Sequence, residues 1–187
     1  MSRVPLRPEL RLVPITAIHA PAMSQWMKDP EVRRGVGIRA EASLARTEDW
    51  IAQASLPGSG VRGFAILVDE HHVGNVVLDR LDSHLSTARL SIYIGEPEAR
   101  GRGMGRRAVR EALAHAFEAL KLFKVWLTVH EENVAARSTY LSLGFREEGR
   151  LRGEFLLDGR RVDVIYMGIL AEEFVTREQA AMQGEPR

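Results

Sequence analysis

The sequence predicts an α/β protein built around a mixed sheet. Residues 86–94 alternate between apolar and polar side chains, which is the pattern of a half-buried strand. Residues 109–120 carry apolar side chains at helical spacing, and residues 146–170 have the pattern of two strands joined by a turn at Asp158 and Gly159. Strands that alternate with helices in this way form a sheet with helices on both faces.

Length and composition predict one soluble globular domain. The chain has 187 residues, of which 45% are hydrophobic and 27% charged, enough apolar residues for a core. We expect a single domain over 1–187, with its core at about 8–172 and a polar tail at 173–187. The formal net charge of +1 gives no global preference for nucleic acid or membranes, so we expect neither as a partner.

The expected order of elements is β-α-α-β-β-β-α-β-α-β-β. The strands are expected at 10–15, 63–69, 72–79, 86–94 and 123–129 and on both sides of the Asp158–Gly159 turn. The helices are expected at 16–29, 44–54, 109–120 and 133–143, with Thr16 and Ser43 as N-caps and Gly144 as a C-terminal stop. Residues 30–43 contain glycines and a proline and are expected to form a loop; beyond Glu172 we expect at most one helical turn.

Residue usage also limits the chemistry. The chain has no cysteine, which excludes disulfides and cysteine nucleophiles and fits the cytoplasm, the expected location. No apolar run approaches the roughly 20 residues of a membrane span. The six histidines show no H-E-x-x-H spacing, so we expect no metal. His71 and His72 fall at a predicted turn and are expected to be solvated.

A glycine-rich, cationic turn joins a predicted strand to a predicted helix. Gly101, Gly103 and Gly105 lie among five arginines between Glu98 and Arg110. A helix start leaves backbone N–H groups unpaired, and residues without a Cβ let a phosphate approach them. The turn matches neither a Walker motif nor G-x-G-x-x-G, because Arg106 stands at the last glycine position. It therefore predicts an anion site, and a pyrophosphate fits its geometry.

Two motifs resemble those of the GNAT N-acetyltransferase superfamily. Residues 100–105 resemble its R/Q-x-x-G-x-G/A motif, which binds the pyrophosphate of acetyl-coenzyme A, and residues 133–145 resemble its N-x-x-A-x-x-x-Y-x-x-x-G-F motif. Residues 90–99 before the turn resemble the family's fourth strand. The ending, residues 148–170, resembles the branch of ribosomal-protein N-terminal and spermidine acetyltransferases. The resemblance covers about residues 8–172 and implies a GNAT-like fold with a mixed, mostly antiparallel, twisted sheet.

The resemblance implies acetyl-CoA as co-substrate and names the residues that bind it. The cofactor-binding set is Ile92, Ile94, Arg100, Gly101, Arg102, Gly103, Met104, Gly105, Arg106, Asn133, Ala136 and Tyr140. In the family, the matching tyrosine donates a proton to the departing thiolate, which makes Tyr140 the candidate acid. A packed core tyrosine is the alternative. Asn133 also suits a plain N-cap, and both roles are compatible.

The general base is harder to assign. Many relatives carry a glutamate on the fourth strand in an A-E-L context, but this chain has Arg89 there. Three carboxylates remain, Glu154, Asp163 and Glu96, of which we take Glu154 as catalytic because it matches a glutamate recurrent in the spermidine-type branch. For each, a solvated or ion-paired side chain is the alternative, and Asp163 could pair with an arginine across its hairpin.

The resemblance implies that residues 29–41 cover the amine that accepts the acetyl group. This segment has three carboxylates and three arginines, so its charges cancel. A long polycation would favour an excess of carboxylates there, so we expect the primary amine of a small molecule or of a peptide N-terminus. A homodimer is also expected. Two other functions stay open: a non-catalytic acyl-CoA sensor or scaffold of the same fold and, less favoured, a nucleic-acid-binding protein. Tyr140 favours an enzyme, whereas Arg89 in place of the glutamate favours a sensor.

Overall fold

A computed structural model of the chain describes residues 8–36 and 41–183. Seven strands occur in this part of the chain: β1 (Leu10–Pro14), β2 (Arg62–Val68), β3 (His71–Asp82), β4 (Thr87–Ile94), β5 (Lys124–His130), β6 (Arg146–Leu157) and β7 (Arg160–Leu170). The six α-helices there are α1 (Ala20–Trp26), α2 (Pro30–Val36), α3 (Leu44–Ala54), α4 (Met104–Ala114), α5 (Val134–Leu143) and α6 (Ala171–Gln183). The strands form one sheet in the order β1-β2-β3-β4-β5-β7-β6, which is the mixed sheet that the sequence predicts.

The chain divides into two compact units, with β3, β4 and α4 each contributing to both. The first unit contains residues 1–77 and 92–109, and the second contains residues 78–91 and 110–187. The expectation of one domain with a core at 8–172 stays a prediction.

In the first unit, α1, α2 and α3 pack with the β1–β2 pair. These two strands are antiparallel, with Leu10 opposite Val68. Apolar side chains from all three helices and from β2 share one core cluster, including Trp26, Val32, Ile51 and Ala65. Their burial holds the segment that follows α1 in place, since a fully buried Val or Ile side chain contributes about 1.5–3 kcal/mol to stability.

In the second unit, β5 lies between a parallel and an antiparallel neighbour. Residues 87–89 of β4 pair with 124–126 of β5, and β5 pairs with β7 along its whole length. Val125, Leu127 and Val129 are buried, whereas the alternate residues Lys124, Trp126 and His130 are half-buried. Strand β5 therefore has one core face and one more open face.

Several predicted turns are confirmed. Asp158 and Gly159 both have positive φ, 48° and 82°, as in the two-residue turns that suit a tight hairpin. Gly144 ends α5 with φ 101°. Ser43 caps α3, because its side chain accepts a hydrogen bond from the Arg46 amide at 3.2 Å.

The prediction of a continuous helix over 16–29 followed by a loop over 30–43 is wrong. A 3-10 turn at Ala17–His19 precedes the short α1, and α2 occupies 30–36. Asp29 accepts a hydrogen bond from the Glu31 amide at 2.9 Å, and Pro30 begins α2, a position that does not need its missing N–H. Burial of Val32 stabilises this turn and outweighs the low helix propensity of Gly35. Residues 37–40 lie outside the described residues.

The prediction of at most one helical turn after Glu172 is also wrong. Helix α6 extends over 13 residues. Its Glu173 accepts a hydrogen bond from the Leu170 amide at 3.0 Å, and Phe174 is buried with its ring 5.5 Å from that of Phe117. Burial of Phe174 and the ion pairs of Glu173 and Glu178 with Arg146 and Arg110 thus hold a helix whose other residues are mostly polar. Residues 184–187 lie outside the described residues.

Candidate active site

The glycine turn adopts a conformation that favours glycine at two positions. Gly101 and Gly103 have φ of 71° and 77°, in the left-handed region where a Cβ is strained. A Cβ built on either residue would meet no atom within 4 Å. The space in front of this backbone is therefore open, as close approach of a phosphate requires.

The same turn presents unpaired backbone donors. Helix α4 begins at Met104, and within 8–36 and 41–183 the amides of 101–105 donate no hydrogen bond. Unpaired N–H groups and the partial positive charge of a helix start both favour an anion. The arrangement fits the pyrophosphate predicted for residues 101–106.

The arginines around the turn are less available than the sequence indicates. Arg100 donates to Asp29 and to Glu31, both at 2.8 Å, and to the carbonyl oxygens of Ile94 and Gly95. Its guanidinium holds the pKa of Asp29 below the usual value.

Two further arginines are also engaged. Arg107 donates to the Pro8 carbonyl oxygen at 2.8 Å, and Arg110 pairs with Glu178. Arg102 is exposed and Arg106 is half-buried. Backbone amides are therefore the main anion donors that this turn offers.

The strand before the turn is held firmly in place. Ile92 and Ile94 end β4, and the amides of Gly95 and Glu96 both donate to the Val73 carbonyl oxygen, at 2.8 and 3.1 Å. The Trp26 indole packs directly on Gly95, where a Cβ would fall within 2.0 Å of the ring. Its Nε1 donates to Glu96 Oε1 at 3.0 Å. These contacts hold the end of β4 against β3 and α1.

Helix α5 carries the second motif. The Asn133 side chain accepts a hydrogen bond from the Ala136 amide at 3.1 Å, which confirms its position as the N-cap. Tyr140 lies two turns along the helix, and its ring meets that of Phe145 at 5.6 Å in an edge-on arrangement.

The hydroxyl group of Tyr140 is uncommitted. It makes no hydrogen bond with any residue of 8–36 or 41–183, and no buried side-chain oxygen of that part of the chain lacks a partner. The Tyr140 oxygen therefore keeps some contact with solvent. Burial of the ring raises the pKa of Tyr140 to about 12, so the phenol keeps its proton at neutral pH.

The three candidate carboxylates differ in their surroundings. Glu154 is exposed on β6 and makes no ion pair or hydrogen bond with the described residues. Asp163 accepts from the Gly153 amide at 2.8 Å and from Arg150 at 2.6 Å, and these bonds hold its pKa below the usual value. A lowered pKa makes Asp163 a weaker base. Glu96 is bound by Trp26.

Arg89, which stands where many relatives carry a glutamate, forms a bidentate pair with Asp79. Its Nε and Nη2 donate to the two carboxylate oxygens at 2.8 and 2.6 Å. Arg89 is also in the last residue pair between β4 and β5, opposite Trp126. Sequence reasoning missed Asp79, and it missed the Trp26–Glu96 bond because 70 residues separate the partners.

The described residues contain neither a metal-binding cluster nor a membrane-spanning helix. No group of three or more histidine, aspartate or glutamate side chains there is arranged to hold a metal ion. No helix there has the length and apolar character needed to cross a membrane.

Comparison with known proteins identifies the family. Residues 9–146 match the model of the acetyltransferase (GNAT) domain. The chain belongs to the GNAT acetyltransferase family. The predicted fold class, an N-acetyltransferase activity and acetyl-CoA as co-substrate are thereby confirmed.

The relatives agree with the branch that the sequence predicts. The chain is 29% identical over 177 residues to spermidine N(1)-acetyltransferase of Escherichia coli K12, covering 95% of this chain and 89% of that protein. It is 30% identical over 127 residues to the putative ribosomal N-acetyltransferase YdaF of Bacillus subtilis, covering 67% of each.

Solved structures resemble this GNAT chain along nearly its whole length. Spermidine N-acetyltransferase of Vibrio cholerae, solved with CoA and spermine, has a TM-score of 0.84 and 26% identity, covering 89% of this chain and 98% of that one. A dodecameric structure of the V. cholerae enzyme has a TM-score of 0.79 and 27% identity, covering 90% and 97%.

Proposed function

We propose that the protein transfers the acetyl group of acetyl-CoA directly to the primary amine of a small molecule. The absence of cysteine supports direct transfer, since no thiol is available to form an acyl-enzyme. The relatives that act on spermidine support a small-molecule amine as acceptor.

The main support for an enzymatic role is that the hydroxyl group of Tyr140 makes no hydrogen bond with the described residues. In the proposed reaction, the neutral amine nitrogen forms a bond to the thioester carbon, and the carbon–sulfur bond breaks. Tyr140 donates a hydrogen bond and then its proton to the departing sulfur, and the proton lost by the acetylated nitrogen passes through a base or solvent and restores the phenol. A sensor or scaffold needs no such donor.

The pKa of Tyr140 limits how this proton moves. The departing thiol resembles cysteine, with a pKa of about 8.5. Against a phenol pKa of about 12, complete transfer to a free thiolate is uphill by about 3.5 units, or about 5 kcal/mol. Tyr140 therefore acts mainly by donating a hydrogen bond to sulfur while the carbon–sulfur bond is still breaking, when the charge on sulfur is partial.

The glycine turn is proposed to bind the pyrophosphate through the amides of 101–106. Arg100 supports this role by holding the turn against Asp29 and Glu31, and exposed Arg102 supplies a positive charge. Ile92 and Ile94 of β4 and Asn133 and Ala136 of α5 complete the proposed cofactor residues.

Glu154 remains the proposed base. It differs from Asp163 and Glu96 because no arginine or indole occupies its carboxylate among the described residues. A base that is free to accept a proton suits deprotonation of an ammonium, whose pKa of about 10.4 lies above neutral pH.

A peptide N-terminus is the second candidate acceptor, favoured by the similarity to the putative ribosomal acetyltransferase. We also propose that copies of the chain associate, as the dodecameric V. cholerae structure does, with a homodimer as the smallest form. Light scattering in solution measures that state, and a monomer at all concentrations would contradict it.

An acceptor screen tests the proposed function. Release of CoA thiol from acetyl-CoA is followed with small primary amines, polyamines and peptides that have a free N-terminus. We expect amine-dependent thiol release with at least one small amine and a product carrying one acetyl group. Binding of CoA without turnover of any acceptor would instead favour a sensor, and turnover of peptides alone would favour the second candidate.

A further inference from the structure

Two aromatic rings form a flat surface on the more open face of the second unit. Trp126 of β5 and Tyr166 of β7 stack with ring centroids 4.8 Å apart and planes 14° from parallel. Both side chains are half-buried. We call this pair the aromatic platform.

Three cationic side chains surround the aromatic platform, and two of them are neutralised. Lys124 lies 5.9 Å from the Tyr166 ring and pairs with Glu148 at 2.6 Å. Arg89, opposite Trp126 in the strand register, pairs with Asp79.

Arg80 is the third cation. Its guanidinium lies 5.9 Å from the Trp126 ring centroid, and the side chain makes no ion pair or hydrogen bond with residues 8–36 and 41–183. Its positive charge is therefore available to a ligand, while its position above the ring is already set.

The backbone of Arg80 is strained in a way that creates this arrangement. Its φ is 50°, in the left-handed region, although it lies within strand β3. Successive strand residues normally point to opposite faces. Here the Asp79 side chain contacts Arg89, and the Arg80 side chain contacts Trp126. Because Arg89 and Trp126 lie opposite each other in the strand register, the side chains of Asp79 and Arg80 lie on the same face of the sheet. Strain of this kind is often kept where it positions a functional side chain.

The position of the aromatic platform also favours a ligand. The pairing of β4 with β5 stops at Arg89 and Trp126, so Leu90, Ser91 and the β5 residues from Leu127 onward do not pair with each other. A gap between the two strands, next to an aromatic surface and the Arg80 guanidinium, suits a small polar molecule.

We propose that Arg80 binds an anionic group, a carboxylate or a phosphate, on the acceptor amine, with the aromatic platform holding the acceptor's carbon chain. The acceptor class is then amines that carry an anionic group. This inference rests on the proposed function. Guanidinium binds carboxylate and phosphate through paired hydrogen bonds, whereas a second ammonium of a polyamine would be repelled by Arg80.

Matched acceptor pairs test this inference. A series of ω-amino carboxylates with two to six carbons is compared with the corresponding carboxamides, and O-phosphoethanolamine is compared with ethanolamine. Each pair keeps the primary amine and removes the anionic charge. We expect kcat/KM of at least one charged member to exceed that of its neutral partner by roughly 10- to 100-fold. The carboxylate and phosphate pairs show which anion is preferred.

Substitution of Arg80 assigns the preference to this residue. Arg80→Gln should reduce the preference to less than about threefold while kcat/KM for the neutral member and CoA affinity change little. Arg62→Gln, which alters an exposed arginine of β2, should keep the full preference. No preference in the wild type, or an unchanged preference in Arg80→Gln, overturns the inference while acetylation itself still supports the proposed function. Absence of acetylation with every amine overturns both.

Discussion

Glu154 is the residue for which a single substitution separates catalysis from packing most simply. It is exposed and has no partner among the described residues, so Glu154→Gln should leave stability within about 0.5 kcal/mol of the wild type. If Glu154 is the base, kcat/KM should fall by about 10²- to 10⁴-fold at neutral pH, and the loss should shrink at high pH as the free amine becomes abundant. Rates measured from pH 6 to 10 check this.

Glu118→Gln is a matched control, since Glu118 is also an exposed glutamate of the second unit. If the pH–rate profile of Glu154→Gln coincides with that of the wild type, Glu154 is not the base, and solvent removes the proton.

His72 gives a pH-dependent stability of known sign. It is half-buried rather than solvated as the sequence predicts, because its ring packs on Trp26 at 4.6 Å and lies near Asn75 Oδ1 at 3.0 Å. Burial lowers the pKa of His72 below 6.5, an effect that the bond to Asn75 only partly offsets. The unfolded chain therefore binds the proton more strongly, and stability is lost as the pH falls through 6.5 toward the folded pKa.

We expect the free energy of unfolding to decline between pH 7.5 and 5.5, measured by urea denaturation. His72→Gln removes the titration and should flatten this slope, although His130, whose pKa burial also lowers, adds a decline of the same sign. His71→Gln, at the exposed neighbouring position, should keep the wild-type slope. An equal slope in all three proteins would show that His72 is not the source.

Individual contacts were the least predictable part of the site. Asn133 follows from local spacing, because an N-cap bonds within its own helix turn. The Arg80–Trp126 contact does not, since it depends on a strained residue and on strands that are distant in sequence. Sequence patterns predict local geometry, but they do not predict the strand register that brings side chains distant in sequence together.

At the scale of elements, the glycine turn and the start of α4 form the part of the site that is most directly testable. Gly103→Ala should weaken CoA binding at least tenfold, because the new Cβ occupies space that the phosphate needs. Isothermal titration calorimetry with CoA measures this. The substitution also strains a left-handed residue, at a cost of about 1 kcal/mol.

Gly58→Ala is the control for that strain. Gly58 has the same φ of 77° and an equally open environment, but it lies outside the turn. It should lose similar stability and keep full CoA affinity. Equal CoA affinity in both variants and the wild type would place the pyrophosphate elsewhere.

Elements with strong periodicity or turn residues were predictable, and short helices were not. The β6–β7 hairpin follows from Asp158 and Gly159, and α5 from its cap and its closing glycine. Helices α2 and α6 were missed because each has, among the side chains that the structure describes, a single buried apolar residue, Val32 or Phe174, in a largely polar segment, and further contacts come from residues distant in sequence. Tertiary burial there overrides a weak local pattern.

For the whole molecule, the family was predicted from the order of two motifs along the chain and not from its composition. A net charge of +1 and 27% charged residues fit many soluble proteins. The arginine-rich turn and the later N-x-x-A-x-x-x-Y motif, separated by a helix and a strand, indicated the GNAT family, and the domain match confirms it. The acceptor was not predictable, because it depends on surface side chains that vary within one fold.

The central claim is that this GNAT protein is an enzyme in which Tyr140 donates a hydrogen bond, and then its proton, to the departing sulfur. The most direct measurement is single-turnover release of CoA thiol by the wild type and by Tyr140→Phe with the best acceptor. The phenylalanine keeps the ring contact with Phe145, so CoA affinity should stay nearly unchanged while the chemical step slows about 10²- to 10⁴-fold. Because the pKa of Tyr140 is raised to about 12, the wild-type rate should show no loss from phenol ionisation below about pH 10. A Tyr140→Phe protein that releases thiol at the wild-type single-turnover rate would contradict the claim.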